Sequence, residues 1–216
     1  MTPELKAALG EAYTAFMSYK DSYGFAGRSG VRHSLRQLTR EDWAQMDAEF
    51  DMGVQLYSDN KNELFRHFLP RWLEWFTEES LSYPFIYGHL WDLASRLNHA
   101  RWLQWPPEEV EALRGVFKAW AHQELAKHDG EIPLRFLLDI KDDLSPYLDV
   151  WLQARPVEVA QWLWTIDWNE HADAQKWATK PRVEERLEAA FFADPDSAQA
   201  ALLSRSIELV RSLRGL

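Results

Sequence analysis

Between residues 61 and 79, Phe65, Phe68, Leu69, Trp72, Leu73 and Phe76 recur at the 3.6-residue period without a miss. That spacing gathers large apolar side chains on one helical face and leaves the opposite face polar. The same period returns along the whole chain. Leu5, Ala8, Leu9, Ala12 and Phe16 share a face behind Thr2-Pro3-Glu4, an N-cap followed by proline at the first helical position. Thr39, Glu41 and Asp42 open a helix with Trp43, Met46 and Phe50 inward, stopped by Gly53 and Ser58-Asp59-Asn60. Ile86, Leu90, Leu93, Ala94 and Leu97 make another. Pro106-Pro107-Glu108-Glu109 starts a long one that carries Val110, Leu113, Phe117, Trp120 and Ala121 and ends at Gly130. Val183, Leu187, Ala190 and Phe191 form a short helix, and Leu203, Ile207, Val210 and Leu213 the last. Ser145-Pro146, Arg155-Pro156 and Asp194-Pro195 each place proline near a helix start. No run alternates with period two between turn residues, so no sheet is expected. The pattern predicts an all-α chain of about eight to ten short helices.

Connections of roughly two to eight residues make sequential helices antiparallel neighbours. Hairpins of this kind either close into an irregular helical bundle or stack as an α-α superhelix. Trp72-Leu73-Glu74-Trp75 against Trp162-Leu163-Trp164 is the nearest internal echo and is too short to mark a repeat. A single all-helical domain over 1–216 is therefore expected. Pro70 falls inside the most strongly patterned helix and should kink or split it, because proline lacks the amide donor and clashes with the preceding turn. Residues 20–38, with Gly24, Gly27 and Gly30, read as a long loop, and loops of that length are often functional.

Charge and composition narrow the function classes. The chain carries a net charge of −10, which argues against nucleic acid or an anionic membrane as partner. The charge is uneven: residues 1–40 are basic, 41–80 strongly acidic. Two pieces that attract each other in the fold are a commoner cause of such a pattern than a partner footprint. There are no cysteines, so a disulfide framework, a thiolate metal site and a cysteine nucleophile are all excluded. Met1-Thr2-Pro3-Glu4-Leu5-Lys6 has no apolar h-region, and the uncharged run from Leu81 to Trp91 is too short to span a bilayer. A cytoplasmic location is the expectation.

Twelve tryptophans are the most unusual compositional fact. Indoles can line a groove for a sugar, a flat ring or a peptide. They also fill space between short helices, and most here fall on an apolar stripe. Trp75, Trp164 and Trp168 sit off the centre of theirs and are the better candidates for exposure.

Few motifs in the chain carry chemistry. Gly24, Gly27 and Gly30 lack the Gly-Lys-Ser/Thr ending of a phosphate loop. No G-x-S-x-G elbow and no H-E-x-x-H helix occur. Glu63 with His67, and Glu124 with His128, are placed to share helix faces, but neither forms the Glu-x-x-His pair of di-iron bundles. His128-Asp129 has the dipeptide of the all-helical HD-type phosphohydrolases, for which His99 or His122 and Asp139 or Asp142 would be the further ligands. Its place before Gly130 is what simple helix capping produces. No metal, cofactor or catalytic residue is assigned.

The polar stripe opposite the core face of 61–79 is the one constellation with the makings of a site. Glu63, His67, Arg71, Glu74 and Glu78 succeed one another at helical spacing. A bend at Pro70 would free the Arg66 carbonyl and open a concavity lined by His67, Arg71, Glu74, Trp75 and Glu78, the candidate groove for a ligand or partner. The plainer reading is that Arg71 and Glu74 tie this helix to a neighbour.

The run Phe65-Arg66-His67-Phe68-Leu69-Pro70-Arg71-Trp72-Leu73-Glu74, with Trp102-Leu103-Gln104-Trp105-Pro106-Pro107-Glu108-Glu109 and Lys118-Ala119-Trp120, resembles a group of uncharacterised bacterial proteins. These share an F-L-P-R-x-L-E stretch and a W-x-x-W-P helix start. The resemblance spans about residues 39–125 and implies no activity and no residue role.

Together these features predict a non-catalytic interaction protein, an adaptor, inhibitor or immunity-type partner of another protein, whose acidity would complement a basic surface. The oligomeric state is left open. The alternative is a metal-dependent phosphohydrolase or another small-molecule enzyme drawing on the His, Asp and Glu set.

Overall fold

The computed structural model describes residues 1–19, 59–78, 93–126, 131–169 and 171–215, with the side chains at 59–62, 64, 78, 125–126 and 131–133 outside that description. The expected loop over 20–38, the helix built on Trp43, Met46 and Phe50, and Ile86 and Leu90 lie outside the described residues. Every regular element among the described residues is helical and none is a strand, so the fold is all-α. The elements are α1 (Pro3–Ala15), α2 (Asp59–Glu78), α3 (Pro107–Ala126), α4 (Glu131–Asp139), α5 (Ser145–Ala154), α6 (Pro156–Trp162), α7 (Ala172–Ala178), α8 (Pro181–Ala193) and α9 (Ala200–Leu213). A further helical stretch covers 93–99, and a 3-10 turn covers Trp102–Gln104. No described helix is long and apolar enough to cross a membrane. The chain divides into two compact units, Met1–Gln123 and Glu124–Leu216.

In the first unit α1 begins as its sequence dictates: Thr2 Oγ1 accepts the amide of Leu5 and Pro3 occupies the first turn. Such a cap is worth about 1 kcal/mol, too little to hold a helix this short without packing. Burial supplies the rest. Leu5, Leu9 and Ala12 on α1 and Phe16 at its C-cap are sealed from solvent, as are Phe65, Phe68, Leu69 and Leu73 on α2 and Leu113, Val116, Phe117 and Trp120 on α3. Each large apolar side chain fully buried contributes roughly 1.5–3 kcal/mol.

Polar ties give the directions of these helices. The amide of Thr2 donates to Gln123 Oε1 at 2.9 Å, while Tyr19 beyond the other end of α1 reaches Glu109 at the start of α3. Midway, a Cβ added at Gly115 would stand 4.0 Å from that of Ala8. These pairings run α1 antiparallel to α3. Tyr13 meets Glu74 and Tyr19 meets His67, so α1 is antiparallel to α2 as well. Arg66 pairs with Glu109 and Phe76 packs on Trp120, which makes α2 and α3 parallel.

Pro70 does not split α2, which is continuous from Asp59 to Glu78 with the proline buried inside it. The Trp102-x-x-Trp105-Pro106 run is a structural corner. Trp102 is buried edge-on against Phe117, and Trp105 Nε1 donates to the Ala100 carbonyl at 2.8 Å. Arg101 there adopts a left-handed backbone with φ 52°.

In the second unit α9 packs on α8, α6 and α7, and α5 packs on α6, α7 and α8. Helices in a superhelix touch only the neighbouring repeat; here a late helix returns onto much earlier ones, which is bundle packing. Trp151, Trp162 and Trp177 form an edge-to-face series through its core, with ring centroids 5.7 and 6.5 Å apart. Pro146 and Pro156 stand at the starts of α5 and α6 as expected. Asp194-Pro195 does not start a helix: Asp194 terminates α8, and α9 begins only at Ala200. The short α4, with Pro133 in its first turn, and the seven-residue α7 have too few periodic apolar positions to show in the sequence.

Candidate functional site

At His67, Arg71 and Glu74 the polar face of α2 makes contacts within its own unit. Arg71 Nη1 donates to Glu74 Oε2 at 2.6 Å, and the same oxygen accepts the Tyr13 hydroxyl from α1 at 2.7 Å. Burial, reinforced by the neighbouring carboxylate, pushes the Tyr13 phenol far above its usual range. The Arg71 guanidinium lies 4.9 Å from the centre of the Trp75 ring, a cation–π distance. Trp75 was expected to be exposed and is buried, at 8% of its accessible surface. It falls off the centre of the apolar stripe, but Arg71 covers the side that the stripe leaves open. His67 stands one turn earlier, with Nδ1 2.9 Å from the Tyr19 carbonyl oxygen. The structure thus brings Arg71, Glu74 and Trp75 together with Tyr13, sets His67 against the end of α1, and leaves the Glu78 side chain outside the described residues.

A second polar cluster in this unit was not legible in the sequence. Arg66 lies between aromatic rings, 4.3 Å from the centre of Trp105 and 5.3 Å from that of Tyr19. Its Nη1 donates to the Tyr19 hydroxyl, which in turn donates to Glu109 Oε1 at 2.6 Å. Glu109 is 3% exposed, and burial raises its carboxyl above the ordinary range against the opposing pull of Tyr19 and Arg66. These residues come from three distant stretches, and no spacing rule connects them.

In the second unit two surface features stand out. Trp164, just beyond α6, is 52% exposed, as its off-stripe position suggested, whereas Trp168 is half-buried. The Trp164 ring is held in place: Nε1 donates to Ser206 Oγ at 3.0 Å, and Ser206 donates to the Ala160 carbonyl at 3.1 Å. Arg205 stands 6.0 Å from the ring centre. The other feature is a cavity of about 500 Å³ lined by Asp139, Lys141, Asp142, His171 and Asp173. Burial raises the Asp139 carboxyl, opposed by Arg135 and His171. Lys141 on its rim has φ 59°.

Of the residues weighed for a phosphohydrolase, Asp139 and Asp142 line this cavity. His99 instead places Nδ1 2.8 Å from the Ser95 carbonyl oxygen one turn back, and His122 is exposed on α3. His128 and Asp129 lie outside the described residues. Among the described residues no three His, Asp or Glu side chains converge as metal ligands. No protein family, curated protein or solved structure matches the chain.

Proposed function

We propose that the chain is a non-catalytic interaction protein, of the adaptor, inhibitor or immunity type, that binds another protein through a surface centred on Trp164. The observation that carries this reading is an indole half open to solvent yet fixed in orientation by Ser206. A rigid exposed aromatic loses little conformational entropy on contact, which is why tryptophan dominates the energetics of protein interfaces. Its N–H is already satisfied, so covering the ring leaves no donor unpaired. The net charge of −10 favours a basic partner and rapid, salt-sensitive association. A cysteine-free chain is compatible with the cytoplasm as the place where the partners meet.

The test is immobilised protein exposed to extract from its own source cell. Trp164→Ala should remain folded, with the drop of a few degrees in melting temperature that the loss of one hydrogen bond brings, and should lose a discrete captured protein. Undiminished capture by the variant counts against the reading.

The cavity at Asp139, Asp142, His171 and Asp173 favours a second reading, a small-molecule enzyme that draws on these acid and imidazole groups. Metal analysis of the purified protein with a panel of generic phosphate esters separates the two. Turnover abolished by Asp142→Asn would establish the second reading.

A further inference from the structure

The Tyr19–Arg66–Glu109 cluster is incompletely satisfied. Glu109 Oε1 accepts the Tyr19 hydroxyl, but among the described residues Oε2 is buried without a hydrogen bond, and Arg66 Nη1 lies 3.5 Å from it. Arg66 Nε is likewise buried and unbonded among the described residues. A carboxylate removed from water resists ionisation unless close donors replace its hydration. Here one neutral hydroxyl and one long ion pair are what replace it. Among the described residues the charged or titratable groups facing Glu109 are Tyr19 from just beyond α1, Arg66 from α2 and Glu108 from its own helix; His67 meets the Tyr19 carbonyl. Tyr19 and Arg66 favour the ionised form, Glu108 and burial oppose it, and burial is the largest of these.

Tyr19 is also the contact through which the end of α1 rests on α2 and α3. Its hydroxyl lies between the guanidinium and the carboxyl, and its carbonyl oxygen meets His67. Displacing Tyr19 would give water access to Glu109. We propose that this cluster is a pH-responsive clasp: the end of α1 is held against α2 and α3 while Glu109 is neutral, and loosens when Glu109 ionises.

The sign follows from linkage. A carboxyl whose value is raised in the closed form binds its proton more tightly there than in the open form, where it returns to the ordinary value near 4.5. Between those values the open population climbs with pH, by up to about tenfold per pH unit, and then levels off. Acid closes the clasp and rising pH opens it.

The experiment is amide hydrogen exchange on the full chain from pH 4.5 to 7.5, corrected for the intrinsic chemical rate. The readout is Phe16, Met17 and Tyr19, whose N–H groups donate to Ala12, Thr14 and Phe16 carbonyls. Amides of α9 serve as the reference for global opening. In the parent, exchange at Phe16, Met17 and Tyr19 should rise several-fold with pH while α9 stays flat. In Glu109→Gln, which is neutral throughout, it should stay low at every pH. No rise in the parent, or an equal rise in the variant, overturns the proposal. If Glu109→Gln does not fold, titration of the assigned Glu109 side-chain carbon decides: a midpoint above 4.5 is required, and one at or below 4.5 overturns it.

Discussion

The hydroxyl of Tyr13 and the guanidinium of Arg71 meet on a single oxygen, Glu74 Oε2, and through it α1 is joined to α2. Removing Glu74 would leave a half-buried phenol and a half-buried guanidinium without this partner. Glu74→Ala should therefore destabilise the protein by about 1–3 kcal/mol. In a chain of this size that is roughly 2–4 °C in melting temperature per kcal/mol. Tyr13→Phe should cost about 1 kcal/mol, and the double variant should show a coupling near 1 kcal/mol between the two. Thermal melts of the four proteins measure it. Additive effects would mean that Tyr13 and Glu74 act independently.

A network on the surface of the second unit should make stability depend on acid. Arg211 bonds both Glu184 and Glu188, and Arg214 bonds Glu184, tying α9 to α8 across their antiparallel contact. The Arg211 guanidinium, followed by that of Arg214, holds the Glu184 carboxyl below its ordinary value of 4.5. A depressed carboxylate contributes stability that is complete above the unfolded value and lost as pH falls through the folded one. Melting temperature should fall below about pH 4.5 less steeply in Glu184→Gln than in the parent, and high salt should shrink the difference. Parallel acid limbs in the two proteins would remove Glu184 from the account.

The all-α fold, the buried stripe of α2 and the N-cap at Thr2 were legible because each rests on neighbours three or four residues apart. The candidate site was only partly so. Helical spacing puts Arg71 and Glu74 together, but nothing local names Tyr13 as the third member, since its partner lies on another helix. Trp75 was misjudged for a related reason. Its position relative to the stripe is a property of one helix, whereas its burial includes the cover supplied by Arg71. The cluster of Tyr19, Arg66 and Glu109 is wholly tertiary, and so is the cavity that collects Asp139, His171 and Asp173.

Two helix interiors carry glycine without a structural need for it. Nothing stands within 4 Å of a Cβ built at Gly10, and one at Gly115 meets only Ala8 at ordinary van der Waals distance. Alanine at either position costs no strain and removes conformational freedom from the unfolded chain. Gly10→Ala and Gly115→Ala should each stabilise by about 0.5–1 kcal/mol. Denaturant midpoints check this. A loss at Gly115→Ala would mean that α1 and α3 approach more closely than described.

Photo-crosslinking in the source cell probes Trp164 as the anchor of a protein interface. A photoreactive phenylalanine analogue placed at 164 should yield one discrete crosslinked protein, enriched in basic residues on the captured face. The same analogue at Leu103, which is exposed in the first unit, should not. An identical pattern from both positions, or none at 164 while the protein remains folded, would rule Trp164 out as the anchor.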